Sequence, residues 1–113
     1  MAGQEAALTR RMILEAPVAT GDGAGGRLTG WQPLGEVYVA LSRPSGRIVE
    51  RGGREVSVTR VRIEMRSAPP GDTRRPVAGH RLRDGAGVYV ITSVAEADRL
   101  GLRLHLTAEE GRA

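Results

Sequence analysis

Apolar and polar residues alternate along this chain in short runs that predict strands. In Leu34 to Ser42, Val37, Val39 and Leu41 alternate with Glu36, Tyr38 and Ala40, the two-residue period of a half-buried strand. Val56 to Arg66 is sharper. Arg60, Arg62, Glu64 and Arg66 interleave with Thr59, Val61, Ile63 and Met65, so one face is charged and the other apolar, and a slip of one residue would bury the charged set. Leu8 to Ala16 predicts an opening strand with Leu8, Met12 and Leu14 on one side and Arg11 and Glu15 on the other. Val77 to Arg83 predicts a short strand, and Asp84-Gly85-Ala86-Gly87 suits a tight hairpin turn. Gly87 to Val94 follows as a central strand, with Val88, Val90 and Val94 set against Tyr89, Ile91 and Ser93. Leu102, Leu104 and Leu106 alternate with Arg103, His105 and Thr107 as the last strand.

The connections are rich in Gly, Pro and charge. Residues 20–33 carry five glycines and read as a mobile connector. Trp31 is the exception within it, either a lid over the end of the core or an anchor for a partner. Residues 42–55 exceed the ~2 to 5 residues a hairpin turn needs and read as one long functional loop bearing Arg43, Arg47, Arg51 and Arg54. Ser67 to Pro76, with adjacent prolines, is a connection between strands; Ala95 to Leu100 is a polar turn or a single helical turn. The ends, residues 1–7 and 109–113, are expected to fray. With six short strands and no 3.6-residue period sustained over about ten residues, the fold class is all-β. The expectation is a single domain over residues 1–113, a small closed or nearly closed antiparallel β-barrel of about six strands with one long loop. Closure is favoured because it removes exposed edges.

Composition adjusts this picture in two ways. Aromatic residues make up 3% of the 113 and Phe is absent, so the core must come from Val, Leu, Ile, Met and Ala, and burial between subunits would help. The formal charge is +4, from 17 basic residues, all Arg, against 13 acidic ones, which permits contact with nucleic acid without requiring it. There is no cysteine, hence no disulfide framework. The N-terminal residues lack the basic start and apolar core of a signal peptide. No apolar run approaches the ~18 residues of a membrane span. A soluble protein made in the cytoplasm is expected.

Candidate chemistry is sparse. Gly21-x-Gly23-x-x-Gly26 matches a dinucleotide-loop pattern by letter, but neither a helix nor a βαβ unit follows. His80 and His105 lie on different strands without a ligand at metal-binding spacing. No signature brings a nucleophile and base together, so no enzyme, cofactor or metal is expected. Arg51-Gly52-Gly53-Arg54 resembles a single RGG element, but aromatics are not interleaved with it for bases to stack on. What the loop arginines can offer is salt-sensitive, sequence-indifferent contact with phosphates.

The order of landmarks carries more. Arg11-Met12-Ile13-Leu14-Glu15, Gly25-Gly26, Trp31, the strand Glu36 to Leu41, and Pro44-Ser45-Gly46-Arg47 follow in turn. Val61 to Arg66, Arg81-Leu82 through Tyr89 to Val94, and Leu102 to Leu106 complete the series. Together, over about residues 8–108, they resemble the phage head-tail joining family, also called head closure or stopper proteins, of tailed phages, prophages and gene transfer agents. The resemblance implies a small β-barrel assembled as a ring of six or twelve copies. That ring would sit between the portal-adaptor ring and a tail-terminator or tail protein in the virion neck, after assembly in the host cytoplasm. It would close the DNA channel once packaging ends, and residues 42–55 would match the long loop the family extends toward the channel or a neighbouring ring. Arg43, Arg47, Arg51 and Arg54 would then contact packaged double-stranded DNA or make ion pairs between rings, with no membrane involved. Tyr38 stands where the family often has Trp, and Ala68 to Val77 is richer in Pro and Arg than the family pattern. The alternatives are a stand-alone OB- or SH3-like nucleic-acid-binding module and a tail-terminator ring protein.

Overall fold

A computed structural model describes residues 7–21, 27–42, 45–85 and 87–112. It is all-β, a single antiparallel sheet of seven strands. They are β1 (Arg10–Gly21), β2 (Arg27–Leu41), β3 (Ser45–Arg51), β4 (Arg54–Arg66), β5 (Arg81–Asp84), β6 (Gly87–Glu96) and β7 (Arg103–Arg112). The order is β2-β1-β5-β6-β7-β4-β3, and β2 also pairs with β4, so every strand but β3 belongs to a hydrogen-bonded closed circuit. The β2–β4 seam is short, Val39↔Met65 to Leu41↔Ile63.

The alternating faces chose the register. Val37 and Val39 of β2, Val61, Ile63 and Met65 of β4, and Leu104, Leu106 and Ala108 of β7 all turn into one core with Met12, Leu14, Leu82, Tyr89 and Ile91. Arg62 and Arg66 stay outside. Each of the six predicted strands is present, but two bulges break strict alternation. At β1–β2 the register passes from Leu14↔Gly35 to Glu15↔Pro33, which makes Leu34 the extra residue. Glu15 keeps to the outer face, opposite Arg81, but is buried there by its contacts with Arg81 and Arg83 rather than wet. In β6 the register skips Thr92, whose hydroxyl donates to the Thr107 carbonyl at 3.1 Å, so Val94 packs on the core with Tyr89 and Ile91 rather than with Val88 and Val90.

Other expectations need correction. Within the expected loop 42–55, residues 45–55 are not irregular: β3 pairs with β4 from Ser45↔Arg60 to Arg51↔Arg54 as a long hairpin, and residues 43–44 lie outside the described residues. The alternation is hidden because both faces of this arm are largely exposed and neither needs an apolar row. Gly52 and Gly53, with φ of 59° and 77°, make its two-residue turn, the left-handed pair that a type I′ turn requires. The expected connector 20–33 is mostly strand as well. Thr20 and Gly21 pair with Leu28 and Arg27, and the hairpin continues down to Glu15↔Pro33; residues 22–26 lie outside the described residues. The strand expected from Val77 begins only at Arg81, because residues 77–80 form a turn closed by His80 N–H donating to the Val77 carbonyl at 3.1 Å. The C-terminal end is paired up to Arg112↔Gly87 rather than frayed from residue 109.

The two hairpins leave the closed sheet at opposite ends. β4 is antiparallel to β2, so its N-terminal half, which carries β3, extends past the C-terminal end of β2, whereas the β1–β2 hairpin extends past the N-terminal end of β2. The molecule measures 57 × 34 × 25 Å.

Candidate functional site

The β3–β4 arm holds the arginines singled out in the sequence. Opposed residues of an antiparallel ladder share a face, so Arg47, Val49 and Arg51 lie with Arg54, Val56, Val58 and Arg60, while Gly46, Ile48 and Glu50 lie with Glu55, Ser57 and Thr59. The second set continues the core-facing row Val61, Ile63 and Met65; the arginine set continues the outer row Arg62, Glu64 and Arg66. Arg43 lies outside the described residues. Arg60, on the arginine face, was missed among the loop residues because it was counted as strand; the parity of the ladder reveals it. Its Nε is buried without a hydrogen-bond partner.

Arg51 is tied to the body. Its guanidinium donates to both Glu109 carboxylate oxygens, at 3.0 and 2.9 Å. Glu109 pairs with Arg60 in the ladder, whereas Arg51 pairs with Arg54, six residues or roughly 20 Å along an extended β4. The arm must therefore curl over the outer face of β7 for the contact to form. Arg47 and Arg54 are exposed and have no ion-pair partner among the described residues, and the same holds for Glu50 and Glu55.

Trp31 sits at the base of the other hairpin, opposite Pro17, half-buried and outside the core cluster. The Arg81 guanidinium lies 4.2 Å from its ring centroid, a cation–π contact. Arg81 Nε in turn donates to Glu15 at 2.7 Å, and Arg83 Nε donates to the other Glu15 oxygen at 3.0 Å. Burial pushes the Glu15 carboxyl up, but the two guanidinium hydrogen bonds outweigh it and hold the pKa below the usual carboxylate value. On the outer face of β4 and β7, Glu64 accepts from Arg103 at 2.7 Å and lies 3.1 Å from His105 Nε2. The same balance lowers its pKa. His80 Nδ1 accepts from the Val77 amide at 3.4 Å, and burial lowers the pKa of its ring.

Among the described residues no three His, Cys, Asp or Glu side chains are placed to hold a metal ion. A groove of about 480 Å³ runs past Leu8, Val37, Tyr38, Met65 and Pro69. Its two carboxylates are already engaged, Glu36 with Arg11 at 2.6 Å and Asp72 with Arg74.

The class these features define is a small closed all-β protein with a projecting hairpin that carries exposed charges without intrachain partners among the described residues. The chain belongs to the phage head completion protein family, whose model matches residues 4–111. Among solved structures it is similar to a chain in the virion of a native gene transfer agent (GTA) particle. That match has 36% sequence identity and a TM-score of 0.79, and it covers 96% of this chain and 100% of the other. None of the curated proteins matches it.

Proposed function

We propose that this protein is a structural subunit of the neck of a phage-like particle. In this reading, copies form a ring that closes the DNA channel after packaging and joins the portal or adaptor to the tail. Support comes from the family and from the end-to-end likeness to a virion chain at 36% identity. The observation that carries the reading is the projecting hairpin: it contributes nothing to the core cluster, yet holds Arg47 and Arg54 exposed and without an ion-pair partner among the described residues. A segment the subunit does not need for its own stability is available for contact outside it. In a ring of six or twelve copies the arms surround an axis, obstruct DNA and meet the adjoining ring. Arg43, Arg47, Arg51 and Arg54 supply phosphate contacts or ion pairs between rings, and Trp31, stacked on Arg81, stiffens the base of the opposite hairpin. Assembly takes place in the host cytoplasm.

The test is a chain with all four arginines replaced by Ser. It should fold like the natural protein, with an unchanged far-UV circular dichroism spectrum, while particles carrying it leak DNA or fail to take tails. Particles with normal DNA content, tail attachment and transfer would overturn the reading.

A further inference from the structure

Around the hairpin turn the sequence is a palindrome, Val49-Glu50-Arg51-Gly52-Gly53-Arg54-Glu55-Val56. A two-residue turn folds it so that like meets like: Arg51 opposite Arg54, Glu50 opposite Glu55, Val49 opposite Val56. Like charges directly opposite weaken a ladder, and a hairpin arranged for its own stability would set Glu against Arg. The outcome is a thin plate whose charges are sorted completely within residues 45–60. One face carries Arg47, Arg51, Arg54 and Arg60 and no carboxylate; the other carries Glu50 and Glu55 and no arginine. Among the described residues, Arg51 alone of these charges finds an ion-pair partner, Glu109. That leaves two exposed guanidiniums, Arg47 and Arg54, on one side and two exposed carboxylates, Glu50 and Glu55, on the other. On the acidic face Ile48 is 67% exposed, a largely uncovered apolar side chain.

We propose that the arms of neighbouring copies stack face to face, the Ile48, Glu50 and Glu55 face of one arm lying on the Arg47 and Arg54 face of the next; this rests on the ring reading above. The partner that fits is a second copy because the plate carries both halves of the match. Each arm gives one face and receives on the other, so the contact is heterologous, the kind that closes into a ring when the rotation between copies permits. Duplex DNA fits less well. It accounts for the arginine face but turns Glu50 and Glu55 of each successive arm toward phosphates. The stack instead neutralises both faces, buries Ile48, and relieves the like-charge pairs that the lone hairpin carries.

The experiment compares three full-length chains at low ionic strength by sedimentation velocity: the natural protein, Glu50→Arg/Glu55→Arg, and Arg47→Glu/Arg54→Glu. Glu50→Arg/Glu55→Arg makes both faces basic, Arg47→Glu/Arg54→Glu sets exposed carboxylates on both, and each should self-associate at least roughly tenfold more weakly than the natural chain. An equimolar mixture should recover association, since a basic plate then meets an acidic one at every contact, and recovery also shows that both variants are folded. Stacking is overturned if the variants associate as the natural chain does, or if mixing restores nothing. It is also overturned if Arg47→Glu/Arg54→Glu only loses duplex binding in a gel shift while Glu50→Arg/Glu55→Arg assembles normally. A second measurement uses the absence of native cysteine. Glu50→Cys/Arg54→Cys places thiols on opposite faces of one arm, so oxidation of assembled particles should give a ladder of covalent multimers. Multimeric necks that yield only single chains would end the stacking model and leave the ring standing; necks holding one copy would end both.

Discussion

Glu15 is 4% exposed, and its two carboxylate oxygens are taken by different arginines of β5. A buried carboxylate is tolerable only when both oxygens are satisfied, and the β1–β5 pairing sets this one on the outer face opposite Arg81, within reach of both arginines. Replacing it with Gln leaves Arg81 and Arg83 without a counter-charge. Arg83 is 37% exposed and can rehydrate, so the expected loss is about 2 to 3 kcal/mol, below the ~3 to 5 of a fully buried pair. Urea denaturation of Glu15→Gln at pH 7 checks it. The pH dependence has a definite sign. Folding lowers this pKa, so the carboxylate's contribution is fully present above the unfolded value of roughly 4.3 and disappears as pH falls through the folded value. Glu64, lowered by Arg103 and His105, acts in the same direction. The stability gap between the natural protein and Glu15→Gln should therefore narrow progressively as pH falls below about 4.3; a gap that does not narrow at all below that pH would count against this account. At this scale the sequence was readable wherever alternation held. Val37, Val39, Ile63, Met65, Leu104 and Leu106 lie inside as the pattern requires, whereas Val94 does not follow it, and Glu15, on its expected face, is buried there by its ion pairs. Val94 lies beyond a bulge in its own strand, and an inserted residue moves everything beyond it to the other face while leaving the composition unchanged.

Hairpins, as elements, were harder to read than core strands. A strand in the closed sheet must present an apolar row, and that row can be seen in the chain; β3 has exposed residues on both faces, so Ser45–Arg51 looks like loop. The missing signal was the turn. Gly-Gly between two arginines specifies a two-residue type I′ turn as directly as it suggests a flexible RGG segment, and the palindrome around it gives the register. Both glycines have open space where a Cβ would go, so the cost of replacing them lies in the backbone alone. Gly52→Ala and Gly53→Ala each force an L side chain to positive φ, which should destabilise the arm by about 1 kcal/mol. The effect should stay local. Amide hydrogen exchange in residues 45–51 and 54–59 should quicken roughly fivefold while β6 and β7 keep their protection. Equal acceleration throughout the sheet would mean that arm and core unfold together.

On the scale of the whole molecule, the arms set the dimensions. A compact chain of this length has a radius of gyration near 13 Å, whereas this one measures 15.5 Å because two hairpins project beyond the closed sheet. None of the core side chains comes from residues 45–59, and the seam that closes the sheet, Val39 to Leu41 on Ile63 to Met65, lies entirely outside the arm. Closure should therefore survive removal of the arm. Ser45 and Arg60 are directly opposed, so replacing residues 46–59 with Asn-Gly joins them through the tightest favourable hairpin turn without altering the register of β4 on β2 or β7. The truncated chain loses one ion pair, Arg51 to Glu109, in which the arginine is 55% exposed; such pairs contribute about 0 to 1 kcal/mol. Glu109 gains water in exchange. The expected result is a folded monomer with a β-type circular dichroism spectrum and a melting temperature within about 5 °C of the natural protein. Particles built with it should complete packaging and then lose DNA or lack tails. A truncated chain that fails to fold would place the arm inside the stability of the closed sheet, and one that supports normal particles would remove it from function.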